Sequence, residues 1–114
     1  MLGHPAHLAM TTLPLPVGLP LWELCYLDIA RAELRDVLAE PHYVDRTELS
    51  PDGIEDGWGF TLMSGQRVLV TFQVPIRTAY FSADPPQLDP ILAAFHIASD
   101  DTRLGRYPQP IALK

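Results

Sequence analysis

The sequence has few of the features that support disulfide chemistry, membrane insertion or secretion. It contains one cysteine, Cys25, whose apolar neighbours Leu24 and Leu27 predict a buried, unreactive thiol. No apolar run reaches the roughly 18 to 20 residues of a membrane-spanning helix. Residues 1 to 22 contain no Lys or Arg, and prolines interrupt their apolar stretch, so we expect no signal peptide and a cytoplasmic location.

The sequence also lacks the motifs that carry catalysis or hold a cofactor. It contains no Gly-rich phosphate loop, no Cys/His cluster at zinc spacing and no nucleophile elbow. The acids Asp52, Glu55 and Asp56 do not have the spacing of a calcium loop, which favours a solvated acidic loop. We also expect structural roles for His42 and His96. The sequence therefore predicts a protein that is not an enzyme and binds no metal or cofactor.

Negative charge is concentrated in one part of the chain. Residues 23 to 56 contain ten acids and three bases, whereas residues 57 to 114 contain four acids and five bases. This excess argues against nucleic acid or a membrane surface as the partner of the acidic part. A basic protein is the complementary partner. The alternative is that the acidity serves solubility.

With 114 residues, 47% of them apolar, the chain is expected to form a single domain. Apolar residues at helical spacing predict helices over 29–39 and 88–97, whereas alternation predicts strands. The strands are expected at 21–26, 43–49, 58–62, 68–72 and 76–81. The last four suggest an α+β fold, a four-stranded antiparallel meander packed on one face by the two helices. Residues 1–21 are expected to be an irregular N-terminal arm, 22–98 the domain and 99–114 an extended C-terminal tail, and Met10 is an alternative start.

The pattern around Ser64 and Gly65 predicts the register of one hairpin. A three-residue loop pairs Phe60 with Val68 and Trp58 with Val70, which brings the large apolar side chains to one face of the sheet. A two-residue loop would divide them between the faces. The longer loop also places Gly65 at a left-handed position, which glycine tolerates best.

One resemblance follows from three runs of residues. They are Ala32-Glu33-Leu34-Arg35-Asp36-Val37-Leu38-Ala39-Glu40-Pro41, Trp58-Gly59-Phe60 and Ser64-Gly65-Gln66-Arg67-Val68. Over residues 27 to 97 the chain resembles small bacterial helix-plus-meander proteins, including immunity proteins of polymorphic toxin systems. The family's helix often ends in Gly, whereas this one has Ala39. The resemblance implies a protein that blocks a cognate toxin by tight contact.

Our leading hypothesis is an inhibitory binding protein that presents an acidic surface to a basic partner, such as a toxin domain. The residues expected to contact the partner are Glu48, Asp52, Glu55 and Asp56, which have no Lys or Arg between them. One alternative is an accessory subunit that docks onto a homo-oligomer or a larger assembly through an edge strand and the proline-rich arm. The other is a small-ligand or enzymatic domain, which the sparse polar residues of the strands disfavour.

Overall fold

The computed structural model describes residues 11–12, 21–46, 53–62, 64–74 and 76–112. Nine elements follow one another in this part of the chain. They are β1 (Thr11–Thr12), β2 (Trp22–Asp28), α1 (Arg31–Leu38), β3 (Tyr43–Arg46), β4 (Ile54–Thr61), β5 (Arg67–Val74), β6 (Thr78–Asp84), α2 (Leu88–Ala94) and β7 (Leu104–Ala112). The α+β class and both helices agree with the sequence analysis. Neither described helix is long and apolar enough to cross a membrane.

The strands form one antiparallel sheet with the order β1-β4-β5-β6-β2-β7, and β3 pairs beside β4. The expected meander is present as β3-β4-β5-β6. The sheet is larger than the expected four-stranded meander, because its described part has seven strands. The sheet continues beyond β6 through β2 and β7, and β1 pairs with the end of β4 beyond β3.

The C-terminal segment is part of the sheet rather than a separate tail. Strand β7 pairs with β2, although residues 99–114 were expected to lie outside the domain. Its prolines, Pro108 and Pro110, have no N–H to donate and are typical of a strand at the edge of a sheet. The pairing between β2 and β7 shifts between Glu23 and Cys25. The two prolines and this irregularity remove the strict alternation that sequence analysis uses to recognise a strand.

The hairpin of β4 and β5 has the predicted register. Phe60 pairs with Val68 and Trp58 with Val70, and all four side chains are buried. The Leu62 N–H donates to the Gln66 carbonyl oxygen at 2.8 Å, which closes the three-residue loop. Gly65 has φ +91° there, as the argument from the loop required.

Both helices pack on the face of the sheet that carries these residues. Leu34 and Leu38 of α1 are buried in the same core cluster as the β4 and β5 side chains. Phe95, directly after α2, meets the ring of Phe60 at 5.7 Å and the ring of Phe81 at 5.5 Å. The opposite face of the sheet is left without a helix among the described residues.

Candidate functional site

The face of the sheet opposite the helices carries all four tyrosines of the protein. Tyr26 and Tyr80 are register partners on β2 and β6, and their ring centroids are 6.4 Å apart. Tyr107 lies 5.8 Å from Tyr26, and Tyr43 extends from β3 over Gly57. We call this surface the tyrosine face. Half-buried aromatic side chains with polar ends are typical of binding surfaces.

A trough of about 370 Å³ lies on the tyrosine face over β5 and β6. Thr71 lies on its floor, because β5 pairs Thr71 with Gly57 on one side and with Tyr80 on the other. Neighbouring strands are about 4.8 Å apart, so the backbone positions of Gly57 and Tyr80 are roughly 10 Å apart. The rings of Tyr43 and Tyr80 therefore flank the trough.

Tyr43 is held in place by a glycine and a carboxylate. A Cβ atom at Gly57 would collide with the Tyr43 ring, so only glycine leaves room for it to lie across β4. The Tyr43 hydroxyl donates to Glu55 Oε2 at 2.7 Å, and Gln73 Nε2 donates to Glu55 Oε1 at 3.4 Å. Burial and the neighbouring Glu55 carboxylate raise the pKa of Tyr43, which keeps the phenol protonated. Each oxygen of Glu55 thus accepts a hydrogen bond from a neutral donor.

A second carboxylate, Glu23, belongs to the opposite end of the trough. It pairs across the sheet with Ser82. Burial and a hydrogen bond to Glu23 raise the pKa of Tyr107, so this phenol too stays a neutral donor. The described lining contains no Lys, Arg or His. Arg67 projects from the same face of β5, but it forms an ion pair with Asp84. The trough is therefore a negatively charged site with no cation of its own.

Ser82 is one of three hydroxyl side chains of the trough, with Thr71 and Tyr80, that form no hydrogen bond to another described residue. Its residue is 3% exposed, and its side chain forms no hydrogen bond to any described residue. Solvent reaches the Ser82 hydroxyl in the trough, because the buried side-chain atom without a partner among the described residues is Gln66 Oε1. Ser82 lines the trough, so a group bound there can supply a hydrogen-bond partner.

No protein-family model, curated protein or solved structure matches this chain. Its function is therefore inferred from the chemistry of the trough.

The structure describes two of the four acids that were expected to contact the partner, Glu55 and Asp56, and it places these two on opposite faces of the sheet. Glu48 and Asp52 lie outside the described residues. Glu55 and Asp56 are adjacent in β4, and successive residues of a strand point to opposite faces. Glu55 therefore reaches the tyrosine face, whereas Asp56 points under the helices.

Asp56 does not lie in the solvated acidic loop that the sequence predicts, because it is buried and has two counter-charges. It is 0% exposed and accepts hydrogen bonds from Arg31 Nε at 2.7 Å and Nη2 at 2.9 Å. Arg35, one turn later on α1, donates to the same carboxylate at 3.2 and 3.3 Å. Burial alone would raise the pKa of Asp56, but these hydrogen bonds and the two positive charges outweigh it and lower the pKa. Asp56 therefore anchors α1 to β4.

The sequence alone does not indicate that Glu23, Tyr43, Tyr80 and Ser82 belong to one site. One signal was available, because Thr71 alternates with buried residues of β5 and Tyr80 and Ser82 occupy alternate positions in β6. That pattern shows a second face with polar character. Which strands lie beside each other on that face depends on the order of the sheet, which the sequence does not reveal.

Two other side chains that could take part in chemistry, His42 and Cys25, have structural roles. The Gly59 N–H donates to His42 Nδ1 at 2.8 Å, and burial lowers the pKa of His42, so the neutral imidazole acts as an acceptor at the sheet edge. Burial raises the pKa of the Cys25 thiol to about 12. In the described ranges no three His, Cys, Asp or Glu side chains come together as metal ligands would.

Proposed function

We propose that this protein is a binding protein that receives a basic partner protein on its tyrosine face, and that it is not an enzyme. The observation that carries the proposal is the trough, where Glu23 and Glu55 lie among tyrosine rings without a base in the described lining. Tyrosine supplies a large contact area at a low entropic cost, and complementary charge accelerates association. A toxin domain, which the resemblance to immunity proteins implies, is one basic partner that such a face would accommodate.

The alternative of docking through an edge strand has less support. Strand addition requires a row of free N–H and C=O groups. On β7 the residues Pro108 and Pro110 interrupt that row, and native edge strands use proline in this way to avoid pairing with other chains. The proline-rich arm lies outside the described residues except for Thr11 and Thr12.

The proposal is tested by removing charge from one face at a time. The variant Glu23→Gln/Glu55→Gln neutralises the trough, and Asp36→Asn/Glu40→Gln removes the same charge from exposed positions on or beside α1. Each tagged variant is used to capture proteins from the producing cells at low and high salt, after its melting temperature has been checked. We expect a basic protein that the wild type and the α1 variant retain and the trough variant loses.

Salt provides an independent readout, because exposed charges are screened over about 8 Å at physiological ionic strength. Association of the partner with the wild type should slow as salt increases, and the trough variant should show a smaller salt dependence. Equal retention of every captured protein by the two double variants would exclude the tyrosine face as the binding surface.

A further inference from the structure

We infer that the trough is a receptor for the guanidinium group of an arginine that the basic partner presents. This inference rests on the proposed function and specifies the chemical group that the tyrosine face recognises. Three features carry it: the oriented carboxylate of Glu55, the two flanking rings and the unpartnered hydroxyl of Ser82.

The first feature is the carboxylate. An ionised carboxylate offers about four acceptor positions, and Glu55 uses two of them for Tyr43 and Gln73. The remaining positions are available for a donor above the sheet. Both existing hydrogen bonds come from neutral groups, so the charge of Glu55 is not cancelled by them.

The second feature is the pair of rings. The side chains of Tyr43 and Tyr80 line the trough from β3 and β6, and the backbone positions of Gly57 and Tyr80 are two strands apart, roughly 10 Å. A guanidinium is planar, stacks on aromatic faces and is less strongly hydrated than an ammonium, so an aromatic lining favours it over a lysine side chain.

The third feature is the distribution of acceptors. Glu55 lies at one end of the trough and Ser82 at the other, and the amide oxygen of Gln73 accepts no hydrogen bond from a described residue. A guanidinium has five N–H donors in a fixed plane, whereas an ammonium has three around one point. Several separated acceptors therefore favour arginine. The second carboxylate, Glu23, supports entry of a cation from the Ser82 end.

The experiment uses arginine with both termini blocked, N-acetylarginine amide, titrated into the full-length protein labelled for NMR. The matched probes are N-acetylcitrulline amide, which has nearly the same shape without the charge, and N-acetyllysine amide, which has the charge without the plane. We expect the arginine probe to shift the amide signals of Glu55, Thr71 and Ser82. The citrulline probe should bind at least tenfold more weakly and the lysine probe several-fold more weakly.

Two glycine variants supply a matched structural control. The Cβ atom of Gly57→Ala would overlap the Tyr43 ring and displace it from its position beside the trough. The Cβ atom of Gly105→Ala would displace the ring of Tyr26 in the same way, but Tyr26 does not line the trough. We expect Gly57→Ala to weaken binding of the arginine probe about tenfold. Gly105→Ala should leave the affinity for this probe within twofold of the wild type. Glu55→Gln should lower the affinity for the arginine probe at least tenfold, and Ser82→Ala should lower it two- to fivefold. Both of these variants should melt within a few degrees of the wild type.

The inference is overturned if arginine and citrulline bind equally, if the shifted signals lie on the helix-covered face, or if the two glycine variants behave alike. Its failure is distinguishable from failure of the proposed function. If Glu23→Gln/Glu55→Gln loses the protein partner but the arginine probe does not bind selectively, the proposed function stands. In that case arginine is not the group that the trough recognises.

Discussion

Asp56 is a carboxylate without exposed surface that two arginines of one helix hold in place. Arg31 and Arg35 are four residues apart, so they lie on the same side of α1 and reach the same pair of oxygens. Removing a charge from water is costly, and hydrogen bonds of good geometry are needed to offset that cost. The arrangement therefore depends on Asp56 being ionised.

We expect Asp56→Asn to reduce the free energy of unfolding by roughly 3 kcal/mol at pH 7. This is the low end of the effect of breaking a buried ion pair, about 3 to 5 kcal/mol, because both arginines are about one third exposed and can be rehydrated. Urea denaturation measures the difference. The control is Glu40→Gln, whose carboxylate is 87% exposed and pairs with Arg35 at 3.4 Å, and its effect should stay within about 0.5 kcal/mol.

The difference between the wild type and Asp56→Asn should depend on pH in one direction. The folded-state pKa of Asp56 is lowered, so its contribution is fully present above the unfolded-state value of about 3.9. It is lost as the pH falls from there through the folded-state pKa. A difference that stays constant between pH 6 and pH 3 would show that Asp56 stabilises the fold by packing rather than by charge.

At the scale of an element, α1 ends in a conformation that suits glycine better than the alanine present. Ala39 has φ 65° and ψ −157°, which a side chain with a Cβ rarely adopts. Its carbonyl oxygen nevertheless accepts a hydrogen bond from Trp58 Nε1 at 3.2 Å, so packing of the helix end against the core maintains the strain.

Ala39→Gly should therefore stabilise the protein by about 1 kcal/mol, which corresponds to a rise in melting temperature of roughly 4 °C for a domain of this size. The matched substitution Ala32→Gly, at an exposed position within α1, should instead destabilise by about 0.5 to 1 kcal/mol. Thermal melts followed by circular dichroism compare the two. Destabilisation by both changes would show that Ala39 is not strained.

At the scale of the whole molecule, one core joins the sheet to both helices, and Phe95 connects α2 to β4 and β6. Phe95→Ala removes a fully buried ring and should cost about 3 to 5 kcal/mol, a large fraction of the roughly 5 to 15 kcal/mol of a small domain. The control is Ile76→Ala, a large apolar side chain that is 41% exposed. A denaturant midpoint for Phe95→Ala equal to that of Ile76→Ala would contradict this position of the ring.

Gln66 is buried, although its position directly after the predicted hairpin loop suggests exposure. Its residue is 3% exposed, and Nε2 donates to the carbonyl oxygens of Pro85 and Gln87 at 2.8 and 2.9 Å. It thereby links the β4–β5 hairpin to the segment that enters α2. A polar residue beside a turn is usually exposed, and only the fold brings this one under a second loop.

The amino-acid sequence by itself determines the features of this protein that depend on neighbours along the chain. Alternation in β4 and β5, with Gly65 in the loop, predicted the hairpin and its register, and helical spacing predicted α1 and α2. These patterns are local, because the spacing of apolar residues and the freedom of a glycine act within a few positions of each other.

Only the tertiary structure decided which distant residues meet. The order of the strands places Tyr80 between Thr71 and Tyr26, and the two-residue period of β4 sends Glu55 to the tyrosine face and Asp56 to the buried arginines. From the sequence the two acids look like one charged patch. A one-residue step in a strand reverses the side of the sheet, so the location of each carboxylate follows from the register and from the helices that cover one face.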